Sequence, residues 1–250
     1  MIKEPKIIFH HIPKCGGTSI VTGLAMTYYP WRLLRYGRKG FSGSLNSPAS
    51  SYSADLHGRD RYEFRRELLA YTAKKGDSPL ISGHYPFNDK LYNDQKEQWN
   101  FVTLLRNPVE RWYSEYFWNR YKDHDYAKTD LPIGQYMETA AGKASARSFV
   151  NFYAGTQNPT ATPTPEEIQQ ACDTLAKMTV IGCLEHLGRF QSDMKIAFGR
   201  KPLFMNRNSS PAPEDKKIRP NEKSDTHNKL LDMLAADIEI YQYAKKLLKL

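Results

Sequence analysis

The chain has few of the features that mark disulfide-stabilised, zinc-binding or membrane-spanning proteins. Its 3 cysteines, Cys15, Cys172 and Cys183, are far apart, so they indicate no disulfide framework, and no spacing matches a zinc site. No apolar run is long enough to cross a bilayer, and the N-terminus has no apolar signal region. These absences predict a soluble protein without a membrane span, in a reducing cytoplasm. A lumenal domain separated from its anchor would show the same features.

Acidic residues are in the minority. The 36 Lys and Arg residues outnumber 27 Asp and Glu, which gives a formal net charge of +9. A basic balance favours an anionic partner, but it does not choose between nucleic acid, nucleotide, anionic glycan and membrane. The 250 residues, 40% of them hydrophobic and 25% charged, are typical of a folded chain. We therefore predict a single domain over 1–250.

Strand and helix patterns alternate along the chain. Apolar runs predict short strands at 6–11, 80–82, 101–105 and 180–184. Helical patterns follow at 20–29, 61–75, after Pro108, after Thr164 and from Asp225 onward, and 36–60 is predicted to be a long loop or insertion. This alternation predicts an α/β fold with a parallel central sheet flanked by helices. Because ligands bind at the carboxyl ends of such strands, Lys14, His84 and Arg106, which each follow a strand, are expected to converge.

The loop after the first strand has the chemistry of a phosphate site. Gly16 and Gly17 let backbone N–H groups approach an anion, and Thr18 and Ser19 add hydroxyl donors at a helix N-terminus. Lys14 adds a full positive charge. The usual nucleoside-triphosphate pattern, in which the lysine follows the glycines, is absent, which argues against a kinase. An ordinary Gly-Gly turn is the structural alternative.

A second anion site is predicted around the strand at 101–105. Arg106 follows this strand and Ser114 lies eight residues later on the next helix, where its side chain can point back toward the strand. A guanidinium and a hydroxyl suit a phosphate monoester. The alternative is a helix-capping arginine and an incidental serine. Packing explains the rest of this helix better than catalysis does, notably Arg111, Trp112, Tyr113, Tyr116 and Phe117.

Together these two segments resemble a known enzyme family. Residues 9–19 (FHHIPKCGGTS) are similar to the 5′-phosphosulfate loop of sulfotransferases that use 3′-phosphoadenosine 5′-phosphosulfate (PAPS), and 103–116 (TLLRNPVERWYSEY) resembles their 3′-phosphate motif. The form is closest to the heparan sulfate 2-O and 6-O enzymes and their bacterial relatives. Weaker similarities lie at 180–185 and 204–208. Relatives often carry Thr where this chain has Cys15, so we expect the backbone there to carry the binding.

The resemblance implies a reaction and assigns roles to residues. It implies PAPS as donor, 3′-phosphoadenosine 5′-phosphate (PAP) as product, no metal, and in-line transfer of the sulfuryl group to a hydroxyl. Lys14 would stabilise the leaving phosphate. The residues implied for nucleotide binding are Lys14, Cys15, Gly16, Gly17, Thr18, Ser19, Arg106 and Ser114.

The general base is less sharply defined. His84 follows a strand directly and resembles a histidine of the 2-O and 6-O enzymes, so it is the preferred candidate. His57 is the second candidate, and a glutamate such as Glu63 or Glu67 is an alternative.

The acceptor is expected to be a hydroxyl-bearing molecule, by resemblance a glycan, bound near the basic and aromatic stretch 31–36 and the loop beyond it. We expect Lys217 and Arg219, in the polar loop before the last helix, to close over the nucleotide. No nucleic-acid partner is expected, and the sequence leaves the oligomeric state open. Two alternatives remain: a basic protein that binds an anionic polymer or nucleic acid without catalysis, and a relative that binds PAP but does not transfer.

Overall fold

The fold is built on a sheet of parallel strands. The computed structural model describes residues 4–41, 43–156, 159–204 and 211–250, and for 36–41 it describes the backbone only. Within these ranges the strands are β1 (Ile7–His10), β2 (Gly43–Ser44), β3 (Leu80–Gly83), β4 (Asn100–Leu105) and β5 (Val180–Cys183). Their order is β2-β3-β1-β4-β5, and every neighbouring pair is parallel. The prediction of an α/β fold with a parallel central sheet is confirmed.

Helices connect the strands and flank the sheet. In chain order the described α-helices are α1 (Gly17–Tyr28), α2 (Pro30–Phe41), α3 (Pro48–Leu56), α4 (Arg61–Lys75), α5 (Asp89–Gln95), α6 (Pro108–Tyr121), α7 (Ile133–Glu138), α8 (Ala140–Ser145), α9 (Pro165–Ala176), α10 (Leu187–Phe198), α11 (Asp225–Met233) and α12 (Ala235–Leu248). A π-helical turn spans Val150–Ala154. None of the helices in the described part of the chain combines the length and apolar character of a membrane span.

The sheet is buried on both faces because neighbouring strand residues point to opposite sides. Ile8 of β1 belongs to one apolar cluster, in which the strands pack against α4, α9 and α12. Ile7 and Phe9 belong to a second cluster with α1 and α10. The aromatic face of α6 forms a third cluster with α7 and α11. This confirms packing as the role of those aromatic residues.

The strand order places the carboxyl end of β1 at a switch point. β1 lies between β3 and β4, so the chain leaves it toward one side of the sheet and later returns on the other. In the pairing register Phe9 is opposite Ser82 on one side and Val102 on the other. The loops that follow β1, β3 and β4 therefore open at the same edge, where parallel α/β sheets bind their ligands.

Two segments differ from the sequence prediction. The stretch 36–60 is not a continuous loop, since it holds the end of α2, the edge strand β2 and α3. Two of its short polar residues cap helices: Ser47 caps α3 and Asp60 caps α4. The helical stripe after Asp225 is divided at Leu234 into two helices, which pack against different clusters.

Candidate active site

The loop after β1 turns through two left-handed residues. Lys14 has φ 66° and Gly16 has φ 77°, and Gly17 then begins α1. Alternating backbone conformations of this kind can turn successive N–H groups toward one side, as in anion-binding loops. A left-handed backbone conformation costs free energy for a residue with a Cβ. Lys14 adopts this conformation, and binding of an anion at the loop would offset the cost. These two conformations are compatible with the phosphate-binding loop that the sequence predicts.

The side chain of Lys14 lies against an aromatic ring at the centre of the site. Its Nζ is 4.1 Å from the centroid of the Trp118 ring on α6. Burial lowers the pKa of Lys14 to about 8, and the nearby Glu115 carboxylate opposes that shift. A partly desolvated ammonium group interacts strongly with any anion that enters, because little water screens it.

Cys15 does not contribute its side chain to the site. The thiol is fully buried and belongs to the apolar cluster under the sheet, so it does not line the cleft. Burial raises its pKa to about 12, which keeps the sulfur protonated. The implied role of Cys15 in nucleotide binding is thus limited to its backbone.

Arg106 connects the end of β4 with the loop after β1. Its Nη1 donates to the Lys14 carbonyl oxygen at 3.3 Å, and its Nη2 lies 3.7 Å from the Glu110 carboxylate. Ser114, one helical turn after Glu110 on α6, lines the same cleft as Arg106. Arg219 forms a bidentate ion pair with Glu110 and stacks 4.7 Å over Tyr113. Glu110 therefore pairs with two guanidinium groups, of which Arg106 lines the cleft and Arg219 does not.

His84 has its tautomer fixed by the backbone. Its Nδ1 lies 2.7 Å from the carbonyl oxygen of His11, which can only accept, so Nδ1 carries the proton. Nε2 is consequently the unprotonated nitrogen. The backbone N–H of His84 donates to Asn46 Oδ1 at 3.0 Å. Burial lowers the pKa of His84 to about 4; the hydrogen bond to the His11 carbonyl oxygen opposes this shift and the positive charge of Arg65 adds to it, so the ring is neutral at pH 7.

The predicted residues meet in one cleft of about 1290 Å³. Of the residues predicted for catalysis or binding, those that line it are Lys14, Gly16, Gly17, Thr18, Ser19, His84, Arg106 and Ser114. The alternative base Glu63 also lines the cleft and pairs with Arg66. His57 is exposed at the end of α3, and Glu67 pairs with Arg59 on the surface, so neither reaches the cleft.

Sequence reasoning missed the far wall of the cleft. Glu115, Trp118 and Asn119 continue from Ser114 along one face of α6, and Lys122 follows at the end of the helix. Their spacing of three and four residues was a usable signal, because such residues share a helix face. Lys122 is buried, and its Nζ donates to Asn119 Oδ1 at 2.7 Å.

The Glu115 carboxylate accepts hydrogen bonds from two buried residues. Fully buried Arg111 donates to Glu115 Oε2, and Ser145 Oγ donates to the same oxygen at 3.0 Å. These two donors fix the position of the carboxylate near Lys14. The Arg111–Glu115–Ser145 group therefore supports the cationic centre of the cleft.

Other sequence predictions fall outside the cleft. Trp31 is 77% exposed on α2, and none of the described side chains from 31 to 35 lines the cleft, so this part of the predicted acceptor site is not brought to the predicted donor residues. Lys217 pairs with Glu214 and Arg219 pairs with Glu110, and neither lines the cleft. Phe204 does line the cleft, whereas 205–208 lie outside the described residues.

No protein-family model matches this chain, and a search among curated proteins finds no similar sequence. The function is therefore argued from the cleft itself.

Proposed function

We propose that this protein is a sulfotransferase that moves the sulfuryl group of PAPS to a hydroxyl group. One observation carries the proposal. A lysine-bearing glycine loop, an Arg–Ser pair and a neutral histidine with a fixed tautomer all line the same cleft. PAPS carries a 5′-phosphosulfate and a 3′-phosphate, and the cleft offers two anion sites on adjacent strands.

The donor would lie across the carboxyl ends of β1 and β4. Backbone N–H groups at Gly16 and Gly17, with the hydroxyls of Thr18 and Ser19, suit the 5′-phosphosulfate. Arg106 and Ser114 suit the 3′-phosphate, with Arg219 nearby on Glu110. This assignment agrees with the sequence resemblance to the two phosphate motifs of the family.

The chemistry needs a proton acceptor and a cation. His84 Nε2 accepts the proton of the acceptor hydroxyl while that oxygen forms a bond to sulfur. The bond from sulfur to the bridging oxygen breaks in line, and the electron pair stays on the 5′-phosphate of the departing PAP. Lys14 stabilises the charge that develops on that phosphate, in a site where burial has removed much of the water.

The cleft has room for an acceptor beside the donor. Its volume of about 1290 Å³ exceeds the ~300–1000 Å³ of usual small-molecule pockets. Tyr62, Trp118, Tyr126 and Phe152 line it together with carboxylate and amide groups. Aromatic faces flanked by such hydrogen-bonding groups suit a sugar, so we propose a carbohydrate acceptor.

Calorimetric titration with PAP tests the donor site. Wild-type protein is expected to bind PAP in a 1:1 complex, and Arg106→Ala to weaken it at least tenfold through loss of a charge-assisted phosphate contact. Arg189→Ala is the matched control, because Arg189 pairs with Asp193 on the surface of α10. A folded wild-type protein that ignores PAP but binds anionic polymers would instead support the basic-polymer binder.

Sulfuryl transfer to a panel of oligosaccharides tests the base. His84→Ala is expected to lower kcat about 10²–10⁴-fold while PAP affinity stays near wild type. His57→Ala, an exposed histidine outside the cleft, is the control. Equal kcat in the two variants would remove His84 from the mechanism and direct attention to Glu63.

A further inference from the structure

His11 lies between the donor loop and the proposed base, and the mechanism above uses only its backbone. The centroids of the His11 and His84 rings are 4.3 Å apart at an interplanar angle of 48°. On its other side the His11 ring meets the start of α1. A methyl group built on Gly17 would overlap its Cε1, Nε2 and Cδ2 atoms. One imidazole ring thus contacts both halves of the site.

The His11 ring leaves no space for a Cβ at position 17, whereas the backbone conformation of Gly17 would accept one. Gly17 is absent from the positions with positive φ, whereas Gly16 is among them. An alanine at the first position of a helix is ordinarily well accepted. The space that a Cβ would need is filled by His11, so the second glycine of the motif is a steric complement to that histidine.

The position of His11 is itself well fixed. Its backbone N–H donates to the Gly83 carbonyl oxygen at 3.2 Å, directly before His84. Its carbonyl oxygen accepts from His84 Nδ1, and its ring stacks on Phe9 at 5.6 Å. A shift of the donor loop at Gly17 would therefore press on a ring that touches the base.

We propose that His11 is a positioning residue that sets the donor loop and the base His84 relative to each other. This inference rests on the proposed function. It predicts that the effect of a change at Gly17 depends on the side chain at position 11, and that loss of the His11 ring changes the surroundings of His84.

The first test is a double-mutant cycle read by PAP calorimetry. Gly17→Ala is expected to weaken PAP binding about tenfold, because the new methyl group must displace the His11 ring or the loop. In a His11→Ala background the same change is expected to alter PAP affinity less than about twofold. Gly134→Ala is the matched control, since a methyl group there meets no atom within 4 Å.

The second test needs neither an acceptor nor a folded Gly17 variant. The ring ¹³Cε1 signal of His84, assigned with His84→Gln, is followed over pH 3–8 in wild type and in His11→Ala. Charged and titratable groups near His84 are His10, His11, Lys14, Arg65 and Glu115. Loss of the His11 ring admits water beside His84, so we expect its titration to move upward by about one pH unit or more.

The outcomes separate the two proposals. A wild-type protein that does not bind PAP overturns the proposed function and the role of His11 together. If PAP binds, but Gly17→Ala has the same effect in both backgrounds and His84 titrates identically in wild type and His11→Ala, His11 has no positioning role and the proposed function stands. His57→Ala must leave the His84 titration unchanged.

Discussion

At the scale of single residues, the loop lysine and the proposed base have displaced pKa values. Burial brings the pKa of Lys14 down to about 8 and that of His84 to about 4. Between these values the lysine is charged and the histidine is neutral. That is the pair of states which leaving-group stabilisation and proton abstraction require.

PAP affinity should therefore fall on the alkaline side. As the pH rises through about 8, Lys14 loses its charge, and affinity at pH 9 should be up to about tenfold weaker than at pH 7. Lys14→Arg keeps its charge at every pH used and should flatten this dependence. Calorimetry at the two pH values for both proteins is the measurement. An equally steep fall in Lys14→Arg would assign the effect to another group.

Much of the site could be predicted at this scale because its residues directly follow strands. Lys14, His84 and Arg106 needed only the rule that parallel strands end at one edge. The steric fit between Gly17 and His11 could not be predicted, because it depends on where the end of β1 places the His11 ring. Cys15 was placed among the binding residues because a motif gives the position of a residue and not the direction of its side chain.

At the scale of elements, α6 organises the cleft. Asn107 caps it by accepting from the N–H groups of Val109 and Glu110, with Pro108 at the first position. Its own N–H donates to Glu185, which also accepts from Tyr241 of α12. The helix that carries Ser114 and Glu115 is thereby fixed at its start.

Removal of this cap should cost stability. Asn107→Ala is expected to lower the free energy of unfolding by about 1 kcal/mol, because two helix N–H groups lose their acceptor. Urea unfolding followed by circular dichroism measures it. PAP affinity should fall as well, since Arg106 and Ser114 flank the cap. A full loss of PAP binding without loss of stability would contradict a structural role for Asn107.

A second element depends on one buried carboxylate. Asp237 of α12 is fully buried and accepts from the N–H groups of Phe149 and Val150, at the start of the π-helical turn. Asp237→Asn replaces one acceptor oxygen with a donor, and we expect about 2–3 kcal/mol of destabilisation. Urea unfolding tests this, and a change below about 0.5 kcal/mol, which is typical of surface substitutions, would contradict it.

Element boundaries followed the sequence where local signals were strong. The capping box at Thr164 and Glu167 begins α9 as predicted, and α4 runs over Arg61–Lys75 as predicted. The stretch 36–60 was assigned as a loop because its Ser, Gly and Asn residues resemble turn signals. Its short edge strand β2 exists only through pairing with β3, which local sequence does not encode.

At the scale of the whole molecule, buried histidines link stability to pH. His10 is fully buried; its Nε2 bonds the Tyr85 carbonyl oxygen, and burial lowers its pKa to about 4. Below about pH 6.5, His10 and His84 bind protons in the unfolded chain but stay unprotonated in the folded protein. The free energy of unfolding must therefore decrease as the pH falls toward 4.

The expected loss is about 1.4 kcal/mol per pH unit for each such histidine, as an upper value. Urea unfolding at pH 7.5, 6 and 5 measures it, and His84→Gln should make the dependence less steep. Equal stability at pH 7.5 and pH 5 would show that these histidines are protonated in the folded protein.

The basic charge of the whole chain does not by itself select a ligand. The two anion sites that we propose for the cleft lie at the ends of adjacent strands, so a nucleotide with phosphates at both its 5′ and 3′ positions should bind better than one with the 5′ group alone. The most direct measurement compares PAP with 5′-AMP by calorimetry on the wild-type protein. We predict that PAP binds at least about tenfold more tightly, because Arg106 contacts the additional phosphate. Equal affinities, or a preference for ATP with Mg²⁺, would contradict a PAPS-dependent sulfotransferase.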